Sequence, residues 1–232
     1  VECLRAGASR FGWERRNEIP GSKRDGQWLI GMGVASATRG APIAKSAARV
    51  RLSSEGIITV ETDMTDLGTG SYTIIAQTAA EMMGVQLEDV IVKLGDSSFP
   101  ESPGSGGQWG AASSTSGVYA ACVKLREAVC EKLGFDTDLV QFSNGKVNLG
   151  DRSVPLGEVV GDTEMVVEDE ITYGELSEKY AQDTFGAHFV EVAVNAYTCE
   201  IRVRKMVAAC HAGRILNPKA ARSQVIGAMT MG

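Results

Sequence analysis

The chain has 232 residues, with 23 Lys and Arg against 29 Asp and Glu and a formal net charge of −6. That acidity argues against non-specific nucleic-acid binding, which needs a basic patch. No run approaches the roughly 20 apolar residues of a membrane-spanning helix. Five cysteines without a CxxC pair, and only His188 and His211, indicate neither a disulfide framework nor a zinc or histidine-rich metal site. A reducing compartment is the simpler expectation.

Val1-Glu2-Cys3-Leu4 carries no Met and no signal-peptide layout. The other end, Ala228-Met229-Thr230-Met231-Gly232, breaks off inside an apolar helix pattern, so both ends read as cuts in a longer polypeptide. Trp28 to Thr38 predicts a strand, bounded by Arg39-Gly40-Ala41-Pro42. Ala48 to Leu52 and Ile57 to Thr62 alternate apolar and polar residues around Ser53-Ser54-Glu55-Gly56, which predicts a hairpin with one buried face. The run Asp66-Leu67-Gly68-Thr69-Gly70-Ser71 then feeds a helix over Thr73 to Met83, ended by Gly84. A glycine turn entering a helix gathers free backbone N–H groups and a positive dipole end, a place to hold a phosphate or another anion.

Val90 to Leu94 reads as a short strand. Gly95 to Gly110 is a long loop containing Pro103-Gly104-Ser105-Gly106-Gly107-Gln108-Trp109-Gly110, and loops of this length are usually functional or disordered. Ser113 to Leu133 predicts a second helix, stopped by Gly134, with Cys122 and Cys130 as core or surface thiols. Val140 to Phe142 and Lys146 to Leu149 flank Ser143-Asn144-Gly145, a hairpin signal. Glu164 to Thr172 reads as a strand and 174 to 184 as a polar loop. Phe185 to Val194 and Ile201 to Ala209 predict another hairpin. Asn217-Pro218 opens the last helix, Asn217 as cap and Pro218 at its first position. A repeat is visible: the hairpin over 50–60, then Gly68 and a helix carrying Gln77, parallels the hairpin over 192–203, then Gly213 and a helix carrying Gln224. Two such units could face one ligand, although hairpin-then-helix is common in any α+β fold.

From about Gly31 onward the ordered motifs resemble the molybdenum-binding subunit of the xanthine oxidase family, and within it the bacterial aldehyde oxidoreductases. The motifs are Asp66-Leu67-Gly68-Thr69-Gly70 with Gln77-Thr78-Ala79-Ala80-Glu81, Gly95-Asp96, Ser113-Ser114-Thr115-Ser116-Gly117, Phe185-Gly186-Ala187-His188-Phe189 and Gly213-Arg214-Ile215-Leu216-Asn217-Pro218 through Gln224. The resemblance implies an α+β fold of mixed sheets built from β-hairpins flanked by helices. The whole of 1–232 would be a molybdopterin-binding fragment, with lobes 1–175 and 176–232. It implies cofactor contacts from Gly68, Thr69, Gly70 and Ser71, from Gly106, Gly107 and Gln108, and from Gln224. Glycine permits the close backbone approach a pyrophosphate needs, and an amide side chain can match a pterin edge. Ser36 to Arg39 corresponds to a substrate-channel segment.

The resemblance further implies a hydroxylase that oxidises aldehydes or N-heterocycles with water as the oxygen source. Its molybdopterin would be in the plain or the cytosine dinucleotide form, and no protein side chain would ligate the metal. Iron–sulfur and flavin subunits or domains would be the partners, in the cytoplasm or periplasm, with a homo-oligomer left open. Many relatives have Gln where Thr69 stands, and their general-base glutamate lies beyond the last motif. No catalytic residue is therefore assigned here, and Glu81, Glu191 and Glu200 are expected to be structural. Two other readings stay open: a nucleotide- or phosphate-binding module unrelated to molybdenum, and a non-catalytic assembly or dimerisation piece.

Overall fold

The computed structural model describes residues 1–107 and 109–232, and the side chains of all of these except 176 and 177. In chain order the elements are α1 (Glu2–Phe11), β1 (Arg24–Asp25), β2 (Trp28–Gly40), β3 (Ser46–Leu52), β4 (Ile58–Thr62), α2 (Ser71–Met83), β5 (Val90–Leu94), α3 (Gly110–Leu133), β6 (Gln141–Ser143), β7 (Lys146–Leu149), β8 (Arg152–Pro155), α4 (Leu156–Val160), β9 (Met165–Ile171), α5 (Leu176–Lys179), β10 (Asp183–Asn195), β11 (Ile201–His211) and α6 (Pro218–Met231). This is an α+β fold of mixed sheets with flanking helices. The chain divides into two compact units, residues 42–180 and residues 1–41 with 181–232. The first 41 residues thus share a unit with the C-terminal hairpin, whereas a division at 175 cuts the chain once.

In the unit of residues 42–180 the sheet order is β5-β4-β3-β9. Period-two alternation sends Ala48, Val50, Leu52, Ile58 and Val60 to one face, where they are buried with Ile75, Ala79 and Met83 of α2 and Val118, Leu125 and Val129 of α3. Gly117 lets α3 lie directly on β3: a Cβ there would stand 2.6 Å from Ser46 Oγ and 2.9 Å from the Ser46 carbonyl carbon. The opposite face carries a charge ladder. Glu61 is only 4% exposed and meets Arg51 at 3.1 Å, Arg49 at 3.2 Å and Lys93 at 3.6 Å. Burial works against ionisation of Glu61, but the hydrogen bonds and charges of Arg51 and Arg49, with Lys93, outweigh it and hold the carboxyl below its ordinary range.

The β4–α2–β5 crossover makes β4 and β5 parallel, with Ile58 opposite Val90 and Thr62 opposite Leu94. Both strands therefore end on one edge of the sheet. The two glycine-rich loops follow those ends, which is why segments some 35 residues apart in sequence become neighbours.

In the other unit the sheet order is β1-β2-β10-β11. β2 and β10 pair without interruption from Asp183 opposite Gly40 to Asn195 opposite Trp28. α1, which the sequence reading leaves unassigned, packs on this sheet. Cys3, Ala8 and Phe11 turn to a cluster with Phe189, Ala187 and Trp13, and the Phe11 and Phe189 rings lie 5.6 Å apart. A Cβ on Gly7 would come within 2.4 Å of the Phe189 ring, so only glycine allows this approach. Each phenylalanine buried this way contributes roughly 1.5–3 kcal/mol.

Most expected elements are present. Gly84 and Gly134 end α2 and α3 in the left-handed conformation. Asn144 and Gly145, with φ of 53° and 70°, make the β6–β7 turn. Asn217 accepts from Ala220 N at 3.1 Å, with Pro218 in the first turn of α6. Besides α1, the sequence reading omits β1, β8, which extends the β6–β7 hairpin, and α4, which follows it. The segment 174–184, expected as loop, holds the single turn α5 and the start of β10.

Candidate functional site: two glycine loops on one sheet edge

The first loop does not present the free amides that its composition implies. Asp66 Oδ1 accepts from Gly68 N at 2.7 Å, Thr69 N at 2.8 Å and Gly70 N at 3.3 Å, and Oδ2 accepts from Tyr72 N at 3.3 Å. The N–H groups gathered at the start of α2 are thus turned onto the chain's own carboxylate. Gly68 and Gly70 supply the positive φ, 95° and 84°, that folds the loop around it. Partial burial is the largest influence on Asp66 and opposes ionisation. The N–H bonds from Gly68, Tyr72, Gly70 and Thr69 together outweigh it and hold the carboxyl below the usual range. Thr69 Oγ1 also turns inward, 3.4 Å from Asp66 Oδ1 and 3.3 Å from Ser71 Oγ. An aspartate two to four residues before a run of glycine amides is an Asx-type signal, and it was legible in Asp66-Leu67-Gly68-Thr69-Gly70.

The second loop is held from its stem. Ser102 N donates to Asp63 Oδ1 at 2.6 Å, and Asp63 N donates to Pro100 O at 3.0 Å. Ala47 N donates to Glu101 O at 2.8 Å, and the buried hydroxyls of Ser46 and Ser102 bond each other at 2.9 Å. Above this stem Gly104 O accepts from Gly106 N at 2.9 Å and from Trp109 Nε1 at 3.1 Å. Ser105 Oγ donates to Thr65 O, which ties the second loop to the first. Ala44, Pro103, Gly104, Ser105, Gly106 and Trp109 line an open cavity of about 450 Å³. Sequence reasoning missed Ser46, Asp63, Ser102 and Trp109, because their roles depend on strands that meet only in the fold.

The two loops are linked through Ser105 and Thr65, and a Cβ built on Gly68, Gly70 or Gly107 would meet nothing within 4 Å. Gln108 lies outside the described residues. Gln224 is exposed on α6, in the other unit, and no residue of α6 is buried. Ser36 to Arg39 is an exposed stretch of β2 in that same unit.

One observation at the second loop fits a ligand's close approach. Gly104 has an ordinary φ, and a Cβ built on it would meet nothing within 4 Å, so neither backbone conformation nor packing within the chain requires glycine there. A ligand's close approach would. On α2, the buried Gln77 Oε1 has no hydrogen-bond partner among the described residues, an arrangement that costs about 1–3 kcal/mol unless a donor arrives.

Three groups that could act as nucleophile or base are buried or paired. Burial pushes the Cys122 thiol up to about 12, which leaves it inert. Glu191 and Glu200 pair with Arg204 at 3.6 Å and Arg202 at 2.7 Å. Among the described residues no group of three or more His, Cys, Asp or Glu is placed to hold a metal ion, and no helix is long and apolar enough to cross a membrane.

A sheet edge with two glycine loops, hydroxyl groups and a cavity, and no cluster of metal-ligating side chains among the described residues, suits a domain that holds an organic cofactor. Over residues 6–232 the chain matches the molybdopterin cofactor-binding domain, and it belongs to that family. It is 61% identical to the aldehyde oxidoreductase molybdenum-binding subunit PaoC of Escherichia coli (strain K12), over all of this chain and 32% of that protein. It is 30% identical to the probable hypoxanthine oxidase XdhD of the same organism, over 98% of this chain and 24% of that protein. The chain thus spans about a third or less of these relatives. Quinoline 2-oxidoreductase from Pseudomonas putida 86 shares the fold with a TM-score of 0.80 at 21% identity, over 97% of this chain and 32% of that one. The aldehyde oxidoreductase of Desulfovibrio gigas does so with a TM-score of 0.66 at 21% identity, over 97% and 24%.

Proposed function

We propose that this chain is a cofactor-holding portion of a molybdenum hydroxylase that oxidises aldehydes, with N-heterocycles as the second substrate class. The observation that carries the reading is the pair of glycine loops on the shared edge of β4 and β5, joined by Ser105 and Thr65 beside the cavity. The family supports the cofactor, and the likeness to an aldehyde oxidoreductase subunit supports the substrate class.

The residues expected to hold the pterin are Gly68, Thr69, Gly70 and Ser71 on one side and Gly106, Gly107 and Gln108 on the other, with Gln224 contributing an amide. When bound, the cofactor supplies the two-electron oxidation. The chain's part is to bind and orient it. Glycine backbone allows close approach, the Ser71 hydroxyl can donate or accept, and that of Ser105, whose proton goes to Thr65 O, can accept. Iron–sulfur and flavin partners would carry the electrons away. The pterin would bear a cytosine nucleotide, which acid release would identify.

The deciding experiment is to purify the chain from a host that makes the cofactor and to measure molybdenum and fluorescent oxidised pterin. Stoichiometric amounts of both are expected. Bound ATP or NAD in their place would favour a nucleotide-binding module, and concentration-dependent size with no cofactor would favour an assembly role.

A further inference from the structure

Trp109 stands where the second loop meets the start of α3. Its carbonyl accepts from Ser113 N at 3.0 Å, so its backbone is tied to the first turn of that helix, which lies on β3 through Gly117. Its side chain reaches back over the loop. Trp109 Nε1 donates to Gly104 O at 3.1 Å, and a Cβ built on Gly106 would meet the indole at 3.5 to 3.7 Å. Trp109 is nonetheless 40% exposed, and it lines the cavity with Pro103 and Gly104. We propose that Trp109 is a positioning residue for the cofactor: its indole N–H holds the Gly104–Gly106 turn in shape, and its ring is the wall against which the flat pterin lies. The proposal rests on the reading of this loop as part of the cofactor site.

Three features support it. The polar groups of the loop are spent inside the chain: Gly104 O takes two donors, Gly106 N and Trp109 Nε1, and Ser105 Oγ gives its proton to Thr65 O. What faces the cavity is mostly apolar, which suits the face of a ring and not a phosphate. A pterin has that form, with π faces above and below and its donors and acceptors confined to the edge. Gly104 lies open beside the indole, with nothing within 4 Å of an added Cβ, so a ring can come up to the backbone there. An indole left this exposed also keeps apolar surface that a bound ring would remove from water.

The test separates the ring from its N–H. Binding of free pterin to the cofactor-free chain is measured by calorimetry for wild type, Trp109→Phe and Trp109→Ala, beside hydrogen exchange at the Gly106 amide. Both variants lose the bond to Gly104 O, so both should exchange Gly106 faster. Only Trp109→Ala loses the ring. It should bind pterin at least about fivefold more weakly, the low end of what stacking on an aromatic side chain is worth for a heterocyclic base. Trp109→Phe should recover most of that loss. A purely structural Trp109 would make affinity follow loop exchange, and the two variants would then bind alike. That result would overturn the proposal, as would equal affinity in wild type and Trp109→Ala, or no pterin binding by wild type. Trp109→Leu, apolar but not flat, takes the place of Trp109→Ala if that variant fails to fold. Benzaldehyde is the competing probe: if its binding depends on Trp109 and that of pterin does not, the cavity belongs to an aromatic substrate and the proposal fails. In protein from a host that makes the cofactor, full pterin content in Trp109→Ala would sink this proposal and leave the cofactor reading standing. Wild type free of molybdenum and pterin, with free pterin still binding through Trp109, would sink the cofactor reading alone.

Discussion

The two glycine-rich loops leave neighbouring parallel strands side by side, yet they are held by opposite means. The loop at residues 66–71 is organised from within: one carboxylate gathers its amides, and its glycines are required by positive φ. The loop at residues 103–107 is organised from below, through Ser46, Asp63 and Ser102 at its stem, and Gly104 has no conformational or packing reason to be glycine. Glycine content alone does not tell a self-satisfied turn from one that leaves room for a ligand. The neighbouring side chains decide.

The strongest way to break this comparison is to remove the floor of the second loop. Gly117→Val would drive α3 off Ser46 and should destabilise the chain by about 3 kcal/mol, at the upper end for overpacking. The urea midpoint should fall, with loop 102–107 losing hydrogen-exchange protection. An unchanged midpoint would mean that α3 does not rest on Ser46. A smaller test removes one hydroxyl of the stem. Ser46→Ala strands the buried Ser102 hydroxyl and should cost about 1–3 kcal/mol. The double change with Ser102→Ala should cost less than the sum of the two, and strict additivity would show that the hydroxyls are not coupled.

The first loop should respond through its backbone. Gly70→Ala, at φ 84°, should lower stability by about 1–2 kcal/mol. Its acid response has a definite sign. Because the folded-state pKa of Asp66 is depressed, its contribution is fully present above the ordinary carboxyl pKa of about 4 and is lost as pH falls through the lower folded value. Asp66→Asn should flatten that acid limb in thermal unfolding measured against pH, and an identical limb would show that Asp66 contributes nothing to it. The smallest effect on stability is expected at Gly104. Gly104→Ala should shift unfolding by under about 0.5 kcal/mol, since the methyl meets nothing in the chain. It should nevertheless lower pterin content in the loaded protein. Full pterin content would remove the argument for close approach there.

Local chemistry was legible wherever a residue acts on its own backbone. Gly84 and Gly134 mark helix ends because they alone take the left-handed conformation cheaply, and Asn217-Pro218 marks a helix start because one caps and the other cannot donate. α1 escaped because Gly7 interrupts a short and only weakly apolar helix, and the reason for that glycine is the Phe189 ring, some 180 residues away. The hairpin–glycine–helix repeat is present twice as elements, Gly68 before α2 and Gly213 before α6. Its two copies are not equivalent, since α2 buries Ile75, Ala79 and Met83 and α6 buries nothing.

The sequence by itself determined the α+β class, the turns, the caps, the family and the glycine loops as candidates for cofactor contact, because these follow from local conformational limits and ordered motifs. Only the tertiary structure decided that β4 and β5 run parallel and bring the two loops to one edge, and that β2 and β10 pair across some 150 residues of chain. It also decided that the amides of the first loop belong to Asp66. The physical reason is the same in each case: a backbone donor is committed by whichever acceptor the fold delivers to it, and composition does not carry that choice.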